Sequence, residues 1–161
     1  MLNLHPMQPK HLAEVAELQV APEQIKFVGC IEDIMVNIDN FIHPHVMLFN
    51  DTVVGFFLID TTYSAQYPFA APGSLGLRAF FVSEPFQGQG FGKQAVQLLS
   101  IYLPAHYPQY DTIYLTVNCK NPAAKRCYEL GGFRDTGELY LGGDAGPQQI
   151  MILNFPLNRR D

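Results

Sequence analysis

Apolar and polar residues change rhythm several times along this chain, and each change marks an element. Alternation, or a short unbroken apolar run, favours a strand, whereas recurrence every three or four residues favours a helix. A first strand is predicted at 2–7. Pro9, a residue well suited to a first turn, then opens a helix with Leu12, Val15, Ala16 and Leu18 on its apolar face. A longer helical region is predicted from Pro22 to about Ile42, with Ile31, Ile34, Met35, Ile38 and either Phe41 or Ile42 in phase and Gly29 as a point of division. Its Glu32, Asp33, Asn37 and Asp39 fall on the other side and read as a solvated face. Residues 46–49 and 53–59 form a hairpin around Asn50-Asp51-Thr52, all good turn residues. The segment 61–74, rich in proline, alanine and tyrosine, is a loop placed to line a pocket.

A strand at 77–82 follows, then glycines at alternate positions, Gly88, Gly90 and Gly92, and then a helix carrying Ala95, Leu98, Leu99 and Tyr102 on one face. Pro104 and Pro108 bracket a loop that contains His106. Residues 112–117 alternate β-branched and aromatic side chains, a strand. Asn121-Pro122 supplies a cap and a first helical residue, and that helix stops at Gly131-Gly132. Two last strands are expected at 134–141 and 148–155 around a loop at 142–147. No linker, repeat or low-complexity tract divides the chain, so residues 1–161 are expected to form a single domain.

Composition narrows the class of protein. With 161 residues and 48% apolar content the chain can bury a sizeable core. A formal charge of −5, with no basic run, argues against general nucleic-acid binding and is mildly compatible with cationic substrates. Glu23, Glu32 and Asp33, with the aromatic stretch 63–69, could offer a polycation such a surface. No segment is apolar enough to span a membrane, and the first residues lack the pattern of a secretion signal. Cys30, Cys119 and Cys127 give an odd count without a CxxC pair. They suggest a reducing, cytoplasmic setting. Cys119 and Cys127 flank the candidate site region, but with no histidine close in sequence they are expected to be ordinary small buried residues rather than a nucleophile. The histidines lack metal-ligand spacing, so no metal is expected.

The chemistry concentrates where the strand 77–82 runs through glycines into a helix. Unpaired N–H groups, a positive dipole end and glycine's small size together make a cradle for phosphate or pyrophosphate. It is not a P-loop, because Gly92-Lys93 is followed by Gln94 rather than serine or threonine. It is not a dinucleotide fingerprint either, since the third glycine position is Lys93. On the glycines alone, a strand–helix connection with no ligand remains open.

The run Gln87-Gly88-Gln89-Gly90-Phe91-Gly92, with its approach Val82-Ser83-Glu84-Pro85-Phe86, resembles the Gln/Arg-x-x-Gly-x-Gly/Ala signature of the GNAT superfamily of N-acyltransferases. Downstream, Asn118, Asn121, Ala124, Tyr128 and Gly132-Phe133 are similar to the pattern that follows the fifth strand in that superfamily. The segments 22–28 and 136–138 are also similar to bacterial spermidine/spermine-type N-acetyltransferases. The resemblance implies an α/β (α+β) fold, a mixed, mostly antiparallel sheet of six or seven strands flanked by about four helices. It implies acetyl-CoA as co-substrate, a small-molecule amine as acceptor with polyamine as a candidate, and no nucleic-acid or membrane partner. A homodimer is left open.

By the same resemblance, coenzyme A is bound by Phe80, Phe81, Val82, Gln87, Gly88, Gln89, Gly90, Phe91, Gly92, Lys93, Asn121, Ala124 and Tyr128. Backbone groups of Phe80 and Val82 would hold the pantetheine arm and the thioester carbonyl, and amides of 88–93 the pyrophosphate. Tyr128 and Asn118 are the catalytic candidates, the tyrosine to protonate the departing thiolate. The chain departs from the family at the general base, because Gly76 stands where many members carry a glutamate. Glu32, Glu84, Asp60, a tyrosine of 63–67 or a water chain could replace it. That gap keeps a second reading alive, a non-catalytic acyl-CoA-binding module that senses cofactor or contacts a protein.

Overall fold

In a computed structural model, residues 1–156 are described. The last five, 157–161, which the single-domain expectation includes, lie outside the described residues. Seven strands form one sheet: β1 (Leu2–Pro6), β2 (Ile42–Phe49), β3 (Thr52–Asp60), β4 (Leu75–Val82), β5 (Thr112–Asn118), β6 (Arg134–Tyr140) and β7 (Gln148–Asn154). Their order is β1-β2-β3-β4-β5-β7-β6. All neighbours are antiparallel except β4 and β5. A parallel pair needs a crossover, and the long helix α5 (Phe91–His106) supplies it.

Two apolar layers flank the sheet. On one face α5 buries Ala95, Val96, Leu99 and Leu103 against Phe57, Ile59, Leu75 and Ile113. The helix α6 (Pro122–Leu130) joins that layer through the partly buried Ala124, Cys127 and Tyr128. On the other face lie α1 (Leu12–Ala16), α2 (Ile25–Val28) and α3 (Ile31–Met35), with Val15, Ile31 and Ile34 over Val46, Phe56 and Leu58. A single helical turn, α4 (Tyr63–Gln66), sits within the segment expected to be a loop. Leu99 and Leu103 are fully buried, so truncating either to alanine would cost about 2–5 kcal/mol.

The mixed, mostly antiparallel sheet agrees with the expectation from sequence, but several local expectations need correction. The helical region 22–42 is broken into α2 and α3 because Gly29 takes φ +87°, outside the helical range. The helix α3 ends at Met35, and Asp39 Oδ1 then accepts the N–H groups of Phe41 and Ile42 in a turn, so Ile42 starts β2 instead of ending a helix. The supposed loop after Tyr102 is the last turn of α5, which carries Pro104 inside it. Proline there removes one helical hydrogen bond, but Leu103, Pro104 and Tyr107 are all buried and their packing holds the turn. The expectation that Cys119 and Cys127 are buried also fails, since Cys119 is exposed and Cys127 is half-buried.

Two irregularities prepare the site. Pairing between β4 and β5 is confined to Leu75 with Ile113 and Gly76 with Tyr114, and beyond that point the strands part. The β3–β4 register also shifts between Phe56 and Leu58. Opposite that shift Ala79 holds φ +52°, so β4 carries an extra residue there, a bulge. The bulge sends Phe80 to the α5 side, 6.1 Å from Phe57, and Phe81 to the other, 6.2 Å from Phe56.

Candidate active site

Two clefts open where β4 and β5 diverge. The smaller, about 260 Å³, is bordered by the end of β4, the 87–93 run and α6. Gly90, at φ +82°, is the N-cap of α5 and offers no side chain to its first N–H groups. Those of Phe91, Gly92 and Lys93 therefore face outward without helical partners. Gly88, at φ +83°, and Gly90 let the chain turn tightly where a Cβ would be strained. Lys93 is exposed at the rim and adds a positive charge to the helix dipole.

The run is stitched into place from behind. Glu84 N–H donates to the Gln19 carbonyl at 2.8 Å, and the Ser83 hydroxyl accepts from Gln19 N–H at 2.9 Å. Gln87 Nε2 donates to the Val82 carbonyl at 3.1 Å and to Gln24 Oε1 at 3.2 Å. Gln24 borders both clefts, a role that its place in a short helical segment does not signal. Of the residues expected to bind coenzyme A, Phe81 and Phe91 are buried in the two apolar layers, so they can offer only backbone groups. Gln89 is exposed at the tip of the loop and borders neither cleft.

The larger cleft, about 410 Å³, lies between α2, α3 and α4 on one side and β5 with the loop before β7 on the other. Both clefts touch Phe80, Ala124 and Tyr128. Asn121 caps α6, its Oδ1 accepting from Ala124 N–H at 3.4 Å, which fixes the register that brings Ala124 and Tyr128 to this junction. The Tyr128 ring is held edge-on by Phe80 at 5.7 Å and Phe133 at 5.8 Å. Burial, reinforced by the adjacent Cys127, raises its pKa, so the phenol is protonated at neutral pH. Cys127 lines the smaller cleft, but burial pushes its thiol up to about 11, the opposite of what a nucleophile needs. Asn118 is buried with both polar atoms engaged: Nδ2 donates to the Ala145 carbonyl at 3.0 Å, and Oδ1 accepts from Lys120 N–H at 2.9 Å.

The acids named as general bases sort themselves by position. Glu32 and Glu84 are exposed and border neither cleft. Asp60 is fully buried and committed, with Oδ1 accepting the Thr62 N–H and hydroxyl and Oδ2 accepting from Arg78 at 3.1 Å. Gly76 pairs with Asp60, and a Cβ built on it would fall within the ring of Tyr63. The aromatic ring of α4 thus occupies the space into which a β4 side chain would project. Tyr63 and Tyr67, with ring centroids 4.4 Å apart, both line the larger cleft. A glycine inside a strand is the sequence sign of such a close approach, although it does not say which group approaches.

The acetyltransferase (GNAT) family profile matches residues 9–133. This chain belongs to that family. The GNAT assignment makes it an acyltransferase. Among its relatives, YbbJ of Bacillus subtilis (strain 168), an uncharacterized N-acetyltransferase, is 27% identical over 93% of this chain and 95% of its own length. The spermine/spermidine N(1)-acetyltransferase of the same strain is 26% identical over 89% of this chain and 94% of its own. Two solved folds are alike at lower identity. The aminoglycoside acetyltransferase AAC(6')-Ib in complex with coenzyme A superposes with a TM-score of 0.76 at 20% identity, over 96% of this chain and 95% of that one. Spermidine N-acetyltransferase from Vibrio cholerae in complex with CoA and spermine gives 0.68 at 18%, over 95% of each chain. Among the described residues no helix is long and apolar enough to cross a membrane.

Proposed function

We propose that this GNAT chain moves an acetyl group from acetyl-CoA to a primary amine of a small molecule, by direct transfer with both substrates bound together. The observation that carries this reading is the meeting of two clefts at Phe80, Ala124 and Tyr128. Holding two reactants at one junction removes the entropic penalty of a bimolecular encounter. The co-substrate supplies an acyl group activated as a thioester. The outward N–H groups at the start of α5, with Gly88 and Lys93, suit its pyrophosphate. The parted strand β4 leaves backbone groups of Phe80 and Val82 for the pantetheine arm and the thioester carbonyl. Related proteins whose structures hold coenzyme A support that use of the cradle.

The amine nitrogen attacks the carbonyl carbon from the larger cleft, forming the C–N bond as the C–S bond breaks. The Tyr128 phenol, protonated at neutral pH, gives its proton to the departing sulfur and regains one from solvent. The proton lost by the amine passes to water in the open cleft: position 76 is glycine, Asp60 is committed, and Asp33 and Asp144 at the cleft wall can take the proton on from that water. Asn118 is a positioning residue in this reading, since both its polar atoms hold the loop and turn that wall the cleft. Spermine and spermidine, named for a curated relative, are the first amines to try.

The lack of a carboxylate at Gly76, whose side-chain space the Tyr63 ring fills, favours one second reading, a non-catalytic acyl-CoA-binding module. Thiol release from acetyl-CoA, measured against polyamines, amino acids and aminoglycosides, separates the two. Turnover of any amine well above the hydrolysis background establishes the transferase; coenzyme A binding without turnover of any amine establishes the module.

A further inference from the structure

The acceptor cleft is not an acidic one. Its non-tyrosine ionisable lining comprises Lys26, Arg78, Asp33 and Asp144, two of each sign. Of Glu23, Glu32 and Asp33, the acids that made a polycation attractive in the sequence, only Asp33 borders it. The two cations differ in kind. Lys26 is exposed and lies over its neighbour Phe27, 5.0 Å from the ring centroid. Arg78 rises from β4 with its side chain 31% exposed, pinned from behind by the wholly buried Asp60.

The way Arg78 is pinned matters. It meets Asp60 through one contact, Nη1 to Oδ2 at 3.1 Å, rather than as a two-point fork, and Thr62 occupies the other carboxylate oxygen. One nitrogen of the guanidinium is therefore engaged, and the rest of its five-donor edge is unspent. Among the described residues no buried side-chain nitrogen lacks a partner, so the unspent donors are accessible, on a residue that borders the cleft. A planar cation, oriented from behind and with donors to spare at the wall of a cleft, is suited to a carboxylate. A mere counter-ion for Asp60 would not need to border the cleft.

We infer that the acceptor is an amine that also carries a carboxylate, such as a free amino acid, and that Arg78 anchors the carboxylate. The inference rests on the transferase reading above and departs from polyamines as the acceptor class. Arg78 and Phe80 are separated on β4 only by the bulged Ala79 and both border the larger cleft, so their backbones stand at most about 7 Å apart. A small amino acid reaching toward the junction can bridge that span with help from the length of the arginine side chain. Asp33 and Asp144 then face the ammonium end of an incoming zwitterion, and the cleft's charges are matched.

The test compares each amino acid with its own carboxamide, which keeps the amine and removes the anion. In the wild-type protein kcat/KM should favour the amino acid at least about tenfold, mostly through KM, the range expected for a charge-assisted pair. Removing Arg78 alone would leave Asp60 buried and unpaired, so the variant is Asp60→Asn with Arg78→Met, with coenzyme A binding on the same sample as the check of folding. In it the preference should fall to about threefold or less; Arg78→Lys should keep part of it. Calorimetric binding of the N-acetylated amino acid and of its amide to coenzyme A-loaded protein reads the anchor without turnover. Turnover with no carboxylate preference, or a preference that survives the double variant, overturns the anchor and leaves the transferase standing. Carboxylate-dependent binding without turnover of any amine does the reverse.

Discussion

Tyr128 is the residue on which the chemistry is most sharply testable. Its ring is fixed by Phe80 and Phe133, and its phenol is kept protonated by burial, so removing the hydroxyl alone isolates its proton. Tyr128→Phe is expected to lower kcat by roughly 10- to 1,000-fold while KM for acetyl-CoA changes little. Steady-state kinetics would show it, and a kcat near wild type would make the tyrosine structural. A different residue contributes to acid stability. His45 is 2% exposed and bridges two hydroxyls, Tyr102 at 2.6 Å from Nδ1 and Tyr107 at 3.0 Å from Nε2. Burial, then the neighbouring His106, His43 and His5, hold its pKa down at about 3. The unfolded chain binds a proton on His45 below about 6.5, and the folded one does not until about 3. Its contribution to stability is thus complete above the unfolded value and is lost as pH falls through that window, by up to about 1.4 kcal/mol per pH unit. Thermal melts from pH 7 to 4 should fall less steeply for His45→Gln than for wild type; equal slopes would contradict the assignment. At this scale the sequence was informative where a role depends on a residue's own neighbours. Asn121, Ala124 and Tyr128 share one short helix, and their register follows from spacing. Tyr63 over Gly76 was illegible, because their meeting depends on how β3 pairs with β4 and on the turn of α4 that follows.

Among the elements, the passage from β4 into α5 gives the most direct test of cofactor binding. Gly90→Asp places a side chain on a residue at φ +82° and a negative charge beside outward N–H groups. Calorimetry on a folded sample should show coenzyme A binding abolished, and an undiminished affinity would displace the cradle from this loop. The same passage was readable from sequence because strand, glycines and helix are contiguous. The 22–42 region was misread for the complementary reason. Apolar spacing reports which side of a helix is buried, but not where the backbone leaves the helix. Here the backbone leaves the helix at Gly29 and again after Met35, and Ile31 and Ile34 of α3 still share one apolar layer with Ile42 of β2.

For the molecule as a whole, binding at the junction should appear as stability. A ligand that binds only the folded chain adds about 2.7 kcal/mol at a hundredfold excess over its Kd, or roughly 5–10 °C in Tm for a protein of this size. Coenzyme A should raise the melting temperature accordingly, and Gly90→Asp should remove the rise; a wild-type protein indifferent to coenzyme A would argue against the cradle. The separation of β4 from β5 has a further consequence. Sheets ordinarily expose unpaired backbone only at their margins, whereas this one carries two unpaired margins in its interior, along β4 after Gly76 and along the facing side of β5 after Tyr114. Such margins are templates for any extended chain, including another copy of this protein in an unfolded or aggregating state. The pantetheine arm, itself a chain with two amides, is well matched to fill the gap by β-augmentation. Amide hydrogens on the inner sides of Phe80 and Val82 should therefore exchange with solvent readily in the free protein and slowly once the arm is seated, and the loaded enzyme should resist aggregation better than the free one.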